Sequence, residues 1–259
     1  MASRTYSFDE AEALLASTWD TLRPWLADIS PERYDDASVL DGWNVRDLLA
    51  HLARGLDVLT ALEAAPRGTD PLSFGEYVGA YPAVARAIAS ATTALSRELG
   101  DDVLAALDAA YARATASAAE LRAVDVAVAR RGPIRVADLV VSRVLELVVH
   151  ADDLARSLGL DPPAFERPVL RAMVRVLLDA LATAHPGKAV EVRVPPFAAV
   201  QCVEGPRHTR GTPPNVIETD AWTWIRLACG RVAWAEALTA HRVSASGTRA
   251  DLSSLLPLL

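Results

Sequence analysis

The feature that most constrains this chain is a helical hydrophobic period sustained over its first 160 residues and broken only where turn residues cluster. Apolar residues recur there at three- and four-residue intervals, the spacing that gives a helix one buried face. The spacing predicts a first helix from about Ser7 to Ile29, opened by Ser7 with Glu10 three places on as a capping box, and stopped by Ser30-Pro31. A second runs from Trp43-Asn44 to about Ala65, ahead of Pro66-Arg67-Gly68. A third, from Ser73 to Leu99, gives way at Gly100-Asp101 to an alanine-rich fourth ending near Val124. Gly132-Pro133 breaks the chain before the last helix, Val136 to Leu158, which Gly159 closes as a C-cap. Successive helices with short connections pack as an up-down bundle.

Past Asp161-Pro162-Pro163 the pattern changes, and proline-rich exposed segments are where few contacts cross, so a domain boundary is expected there: residues 1–160 as the bundle and 161–259 as a smaller α+β domain. After a helix from Phe165 to Ala184, Val190, Val192 and Val194 alternate with Glu191 and Arg193, a half-buried strand. Phe197 to Val203 reads as its hairpin partner. Thr219-Asp220 can cap a helix carrying Trp222 and Trp224, which read as core, and Val243 to Ser246 reads as a further strand.

Composition excludes several classes. The formal charge is −7 and Lys188 is the only lysine, so no basic block exists to neutralise a phosphate backbone, and nucleic acid is not an expected partner. Charged residues interrupt every apolar stretch before the roughly 20 residues a membrane span needs. The first ten residues are polar and acidic, unlike a signal or transit peptide, and the expected location is the cytoplasm. Cys202 and Cys229 have no CxxC spacing and read as core thiols.

Chemistry concentrates on the last bundle helix. Glu146 and His150, four residues apart, share one face and can reach one ion. They belong to a polar stripe of Ser142, Glu146, His150, Asp153 and Ser157 on a helix otherwise lined by Val140, Val144, Leu145, Leu147, Val148, Val149 and Leu154. The stripe alone could equally be the wet side of an amphipathic helix. His51 bears on that choice. In projection it falls beside Leu48, Val58 and Leu62 and away from Arg46, Arg54 and Asp57, so it is expected to face inward. A buried imidazole needs a partner, either a bundle carboxylate such as Glu146 or a metal shared with Glu146 and His150. A His-Glu-His set suits zinc or another borderline divalent ion and leaves open positions, as catalytic sites do. Asp152 or Asp153 could accept from the other ring nitrogen of His150. His185, His208 and His241 lie in turns, loops or helix ends and read as surface.

Two segments, 43–52 (Trp43 to Leu52, through Asn44-Val45-Arg46-Asp47-Leu48-Leu49-Ala50-His51) and 143–155 (Arg143 to Ala155, through Glu146, His150 and Asp153), resemble the metal segments of the mycothiol-dependent maleylpyruvate isomerase family, whose N-terminal domain is a DinB-like bundle. The resemblance implies that His51, Glu146 and His150 are metal ligands and that mycothiol, the small thiol of actinobacteria, is the cosubstrate; an arginine-rich, lysine-poor chain suits such a genome. Asp220, Trp224, Leu227, Gly230-Arg231, Trp234 and the segment Arg242 to Gly247 resemble the sterol-carrier-like domain that follows such bundles. An arginine of that domain is implied in the active site; Gly230-Arg231 makes Arg231 the candidate, with Arg226 as rival. The implied reaction is thiolate addition to a cis double bond of a small electrophile, rotation and elimination, or a thiol transfer. The competing expectation is a non-catalytic carrier of an apolar ligand or lipid with a structural metal.

Overall fold

The computed structural model describes residues 4–259 except Ala61 and residues 206–213. Its helices are α1 (Phe8–Ala27), α2 (Val45–Asp57), α3 (Phe74–Gly79), α4 (Ala85–Leu99), α5 (Val103–Leu121), α6 (Val136–Leu158), α7 (Arg167–Ala184), α8 (Ala221–Ala228) and α9 (Trp234–Thr239). Strands β1 (Glu63–Ala64), β2 (Val126–Ala129) and β3 (Gly132–Arg135) form one sheet in the order β1-β2-β3. Strands β4 (Val190–Val194), β5 (Ala198–Cys202), β6 (Val216–Thr219) and β7 (Val243–Ser246) form another, in the order β5-β4-β6-β7. The chain divides into two compact units: residues 6–73 with 80–169, and residues 1–5 with 74–79 and 170–259.

The larger unit is a four-helix bundle in which α6 packs against α1 and α2, and α5 against α2 and α1, with α4 lying alongside α2 and α5. Helix α6 is the axis. Its side chains from Val136 to Ala155 are buried almost all round, most of its polar stripe included. Gly159 ends it in the left-handed region, at φ 67°, which a residue without Cβ adopts at little cost. Helix α1 starts at the predicted capping box: Ser7 accepts from the Glu10 N–H and Glu10 reaches back to the Ser7 N–H. Trp19 of α1 stacks on Tyr111 of α5, ring centroids 4.1 Å apart and nearly parallel, tying the two helices.

Helix α2 carries its own capping box, which periodicity did not show. The Asn44 side chain accepts from the Asp47 N–H at 2.9 Å and Asp47 accepts from the Asn44 N–H at 3.1 Å. The helix also ends earlier than predicted. Thr60 donates its hydroxyl to the Asp57 carbonyl, a 3-10 turn follows, and Glu63–Ala64 leaves to pair with β2. Gly132-Pro133 is not a simple break but part of the β2–β3 hairpin. The predicted helix 73–99 is divided by a 3-10 turn at Tyr81–Ala83, where Pro82 has no N–H to give an α-helical ladder.

The smaller unit has a mixed sheet: β4 pairs antiparallel with β5 and parallel with β6, and β6 pairs antiparallel with β7. The alternation read in β4 holds, with Val190, Val192 and Val194 buried and Glu191 and Arg193 partly exposed. Thr219 is the end of β6 rather than a cap. Asp220 caps α8, accepting from both the N–H and the hydroxyl of Thr223. Trp224 is core; Trp222 lies half-buried under the Arg226 guanidinium. Helix α3 belongs with this unit, where Gly75 sits so near Ala180 of α7 that a Cβ would lie 3.3 Å from its Cα. The fold is thus a helical bundle followed by a smaller α+β domain.

Asn44→Ala removes the side-chain cap at the start of α2. It should lower unfolding free energy by about 1 kcal/mol, read as a lower urea midpoint at unchanged m value.

Candidate metal centre

Two helices meet at one carboxylate. Helix α6 brings Glu146 and His150 to the same face one turn apart, and α2, started at Asn44, turns His51 inward two turns later. The Nε2 atoms of His51 and His150 both lie 3.3 Å from the same oxygen, Glu146 Oε2. The two rings meet edge to face with centroids 4.6 Å apart, and Trp43 packs on the other side of His51, 5.1 Å away. The three potential ligand atoms lie within 4.8 Å of one another. The stripe on α6 is not a wet face: Ser142, His150 and Asp153 are buried, and the Glu146 side chain is only 22% exposed.

The remaining ring nitrogens are also engaged. His150 Nδ1 pairs with Asp153 Oδ2 at 3.0 Å, and Asp153 is completely buried. His51 Nδ1 faces the hydroxyl of Thr92, from α4, at 3.4 Å. Thr92 in turn accepts from Arg54 Nε at 3.3 Å. Arg143 is buried beside Glu146, its guanidinium 3.6 Å from Glu146 Oε1 and its N–H groups on Ser142 Oγ.

These contacts set the charges. Burial pushes the Glu146 carboxyl up, but hydrogen bonds from His150 and His51 and the Arg143 charge outweigh it and hold Glu146 well below the usual carboxylate range. Burial works against a charge on His150, yet Asp153 and Glu146 raise its pKa above 6.5. At His51 burial prevails over the pull of Glu146, and the pKa falls. Burial first, and then the nearby positive charges of Arg130 and Arg143, lower that of Arg54 against the pull of Glu146.

The donor set fits a divalent metal. Nitrogen and oxygen ligands at roughly 2.0–2.1 Å in tetrahedral array are separated by about 3.3 Å, and two of the three edges here have that length. Both imidazoles have partners on Nδ1 and point Nε2 at the shared carboxylate, the second-neighbour arrangement common to metal-ligating histidines.

Sequence reasoning identified His51, Glu146 and His150, and the structure brings all three together. Of the two aspartates after His150, Asp153 is the one on its ring. Thr92 and Arg143 went unnoticed, and Arg54, read as pointing away from His51, shares Thr92 with it. In the structure α4 turns a polar pair, Thr92 and Ser96, into the bundle at i,i+4. His185 is partly exposed and His241 exposed, while Arg207, His208 and Arg210 lie outside the described residues. Arg231 sits in the smaller unit just after α8. Its main-chain N–H donates to the Arg226 carbonyl at 2.7 Å and its guanidinium to the Cys229 carbonyl at 2.7 Å.

A helical bundle with a buried His-Glu-His cluster, followed by an α+β domain, defines a class, and comparison with known proteins specifies it. Residues 15–155 match the family model of the mycothiol maleylpyruvate isomerase N-terminal domain, and residues 166–258 match that of a bacterial SCP ortholog. The chain belongs to the mycothiol maleylpyruvate isomerase family. It is similar in fold to a crystal structure of the mycothiol-dependent maleylpyruvate isomerase, with TM-score 0.64 and 16% identity over 95% of this chain and 96% of that one. A histidine-to-alanine mutant of the isomerase matches at TM-score 0.63, also at 16% identity and with the same coverage. No curated protein sequence matches the chain.

In metal-free protein the two imidazoles should titrate on opposite sides of 6.5, His150 above and His51 below, as followed by NMR of the ring protons. The sign for stability is opposite for the two. The His150 contribution is present below 6.5 and fades as pH rises through its folded pKa; the His51 contribution is present above 6.5 and fades on acidification. Glu146 adds stability that is lost as pH falls from 4.5 through its depressed folded value. The reverse order of the two histidine midpoints would contradict this electrostatic account.

Proposed function

We propose that this protein is a metal-dependent enzyme that uses mycothiol as thiol cosubstrate, isomerising a small cis-alkene acid in the manner of maleylpyruvate isomerase or transferring the thiol to a small electrophile. The observation that carries this reading is the pair of imidazole Nε2 atoms, each 3.3 Å from one buried carboxylate oxygen, in a chain of this family. His51, Glu146 and His150 would hold the metal, and the nitrogen-and-carboxylate donor set favours zinc. A metal held by three protein ligands stabilises an added thiol as thiolate at neutral pH.

The chain's own residues supply the rest. Glu146, kept ionised, offers negative charge to the centre, while Arg143 stands against its other oxygen and keeps it oriented. Asp153 holds the His150 ring through Nδ1. On the boundary expected from the sequence, residues 1–160 would provide the metal ligands and residues 161–259 would provide Arg231 for the substrate carboxylate. The guanidinium suits that bidentate task, and its turn is fixed by main-chain bonding to Arg226. Arg226, the rival, lies over the face of Trp222, 5.8 Å from the ring centroid. A cytoplasmic location accords with Cys202 and Cys229 being buried and outside any disulfide, the Cys202 thiol pushed up to about 11 by burial.

Purified protein should bind one equivalent of Zn2+, and His51→Ala and His150→Ala should each abolish stoichiometric binding; mycothiol titrated into the zinc form should bind, and into the metal-free form should not. Absence of stoichiometric metal, or variants that retain it, overturns the reading. Arg231→Ala should leave zinc content intact and lower kcat/KM for a carboxylated electrophile by about ten- to a hundredfold, the loss of one charged hydrogen bond. Equal losses in Arg231→Ala and Arg226→Ala would remove the assignment of Arg231.

A further inference from the structure

The two histidines of the cluster are supported by different chemistry. Asp153, facing His150 Nδ1, is a carboxylate and can only accept, so it holds a proton on Nδ1, while Glu146 Oε2 stands 3.3 Å from Nε2 of the same ring. Thr92, facing His51 Nδ1, is a hydroxyl and can do either: donate to a bare Nδ1 or accept from a protonated one. Arg54, which only donates, already uses one of the two lone pairs of Thr92 and leaves its other lone pair and its proton for His51.

We infer that Thr92 is the positioning residue of His51, a hydroxyl that lets this one ligand move its ring proton from Nε2 to Nδ1 when a metal binds, with Arg54 locking the hydroxyl in place. The inference rests on the metal reading given above. Without a metal, an Nε2–H on His51 donates to Glu146 Oε2, 3.3 Å away, and the Thr92 hydroxyl donates to Nδ1. As a ligand, His51 needs Nε2 free of its proton. The proton then resides on Nδ1, and the Thr92 oxygen accepts it. Thr92 is fully buried, and the His51 ring packs against Trp43 and His150. The Nδ1–H of His150 has its acceptor in Asp153 with or without a metal, while that of His51 has one only when the Thr92 hydroxyl turns to accept.

The test compares Thr92→Val, which keeps the shape and removes the hydroxyl, with Thr92→Ser, which restores it. Zn2+ affinity is measured by chelator competition on full-length protein, with thermal unfolding of the metal-free forms as control. Thr92→Val should bind Zn2+ about ten- to a hundredfold more weakly, and Thr92→Ser should match wild type. In wild-type protein, 15N NMR of the imidazoles should show the His51 proton on Nε2 without metal and on Nδ1 with Zn2+, while His150 Nδ1 carries a proton in both. Wild-type affinity in Thr92→Val, or a His51 tautomer that does not change, overturns the role of Thr92 and leaves the metal site standing. Failure of wild type to bind Zn2+ overturns both. If Thr92→Val loses metal-free stability as well, the serine variant decides: weak binding by a stable Thr92→Ser also overturns the proposal.

Discussion

Everything near the candidate centre depends on keeping one carboxylate ionised inside an apolar helix bundle. An isolated buried carboxylate would take up a proton rather than bear the desolvation cost. Glu146 escapes that fate because two imidazoles and a guanidinium converge on it from α2 and α6. Those partners must themselves be oriented, and Thr92, Ser142 and Asp153 are buried for that purpose. The polar stripe of α6 is therefore a network running through the core, with apolar packing by Val140, Val144, Val148 and their neighbours around it.

Much of the bundle was legible in the sequence because a helix writes its period into the chain. The Ser7-Glu10 cap, the Gly159 stop and the alternation of Val190, Val192 and Val194 were read from local signals alone, each with a mechanism confined to a few residues. What escaped notice depended on partners far away in sequence. Strand β1 is two residues long and exists because β2 is there to pair with it; nothing within Glu63–Ala64 announces it. The division of the third expected helix at Tyr81–Ala83 did have a local cause, a proline, outweighed in the reading by strong periodicity on either side.

The site shows the same contrast. Glu146 and His150 are four residues apart, so geometry within one helix fixes their relation. His51 comes from a segment 95 residues away from Glu146, and periodicity could say that it faces inward but not what it meets there. Family resemblance supplied the pairing, and the coordinates give it distances. Thr92 was invisible for a further reason: in an alanine-rich helix a threonine is an unremarkable surface residue until a neighbour's imidazole is known to lie against it. Arg54 was placed on the outer side of α2 by projection, yet its long side chain doubles back to Thr92, a freedom that a helical wheel does not represent.

The drawing of ligands from two helices has a thermodynamic side. Glu146 and His150 keep their spacing for as long as α6 is a helix, even if the bundle loosens, whereas His51 stays in register only while α2 remains docked on α6. An ion gripping all three would bind the docked arrangement and not the parted one, so by mass action it would deepen the docked state in proportion to the logarithm of its free concentration. Occupancy and docking would then be two readings of one equilibrium, and the supply of metal would set how often this part of the bundle breathes.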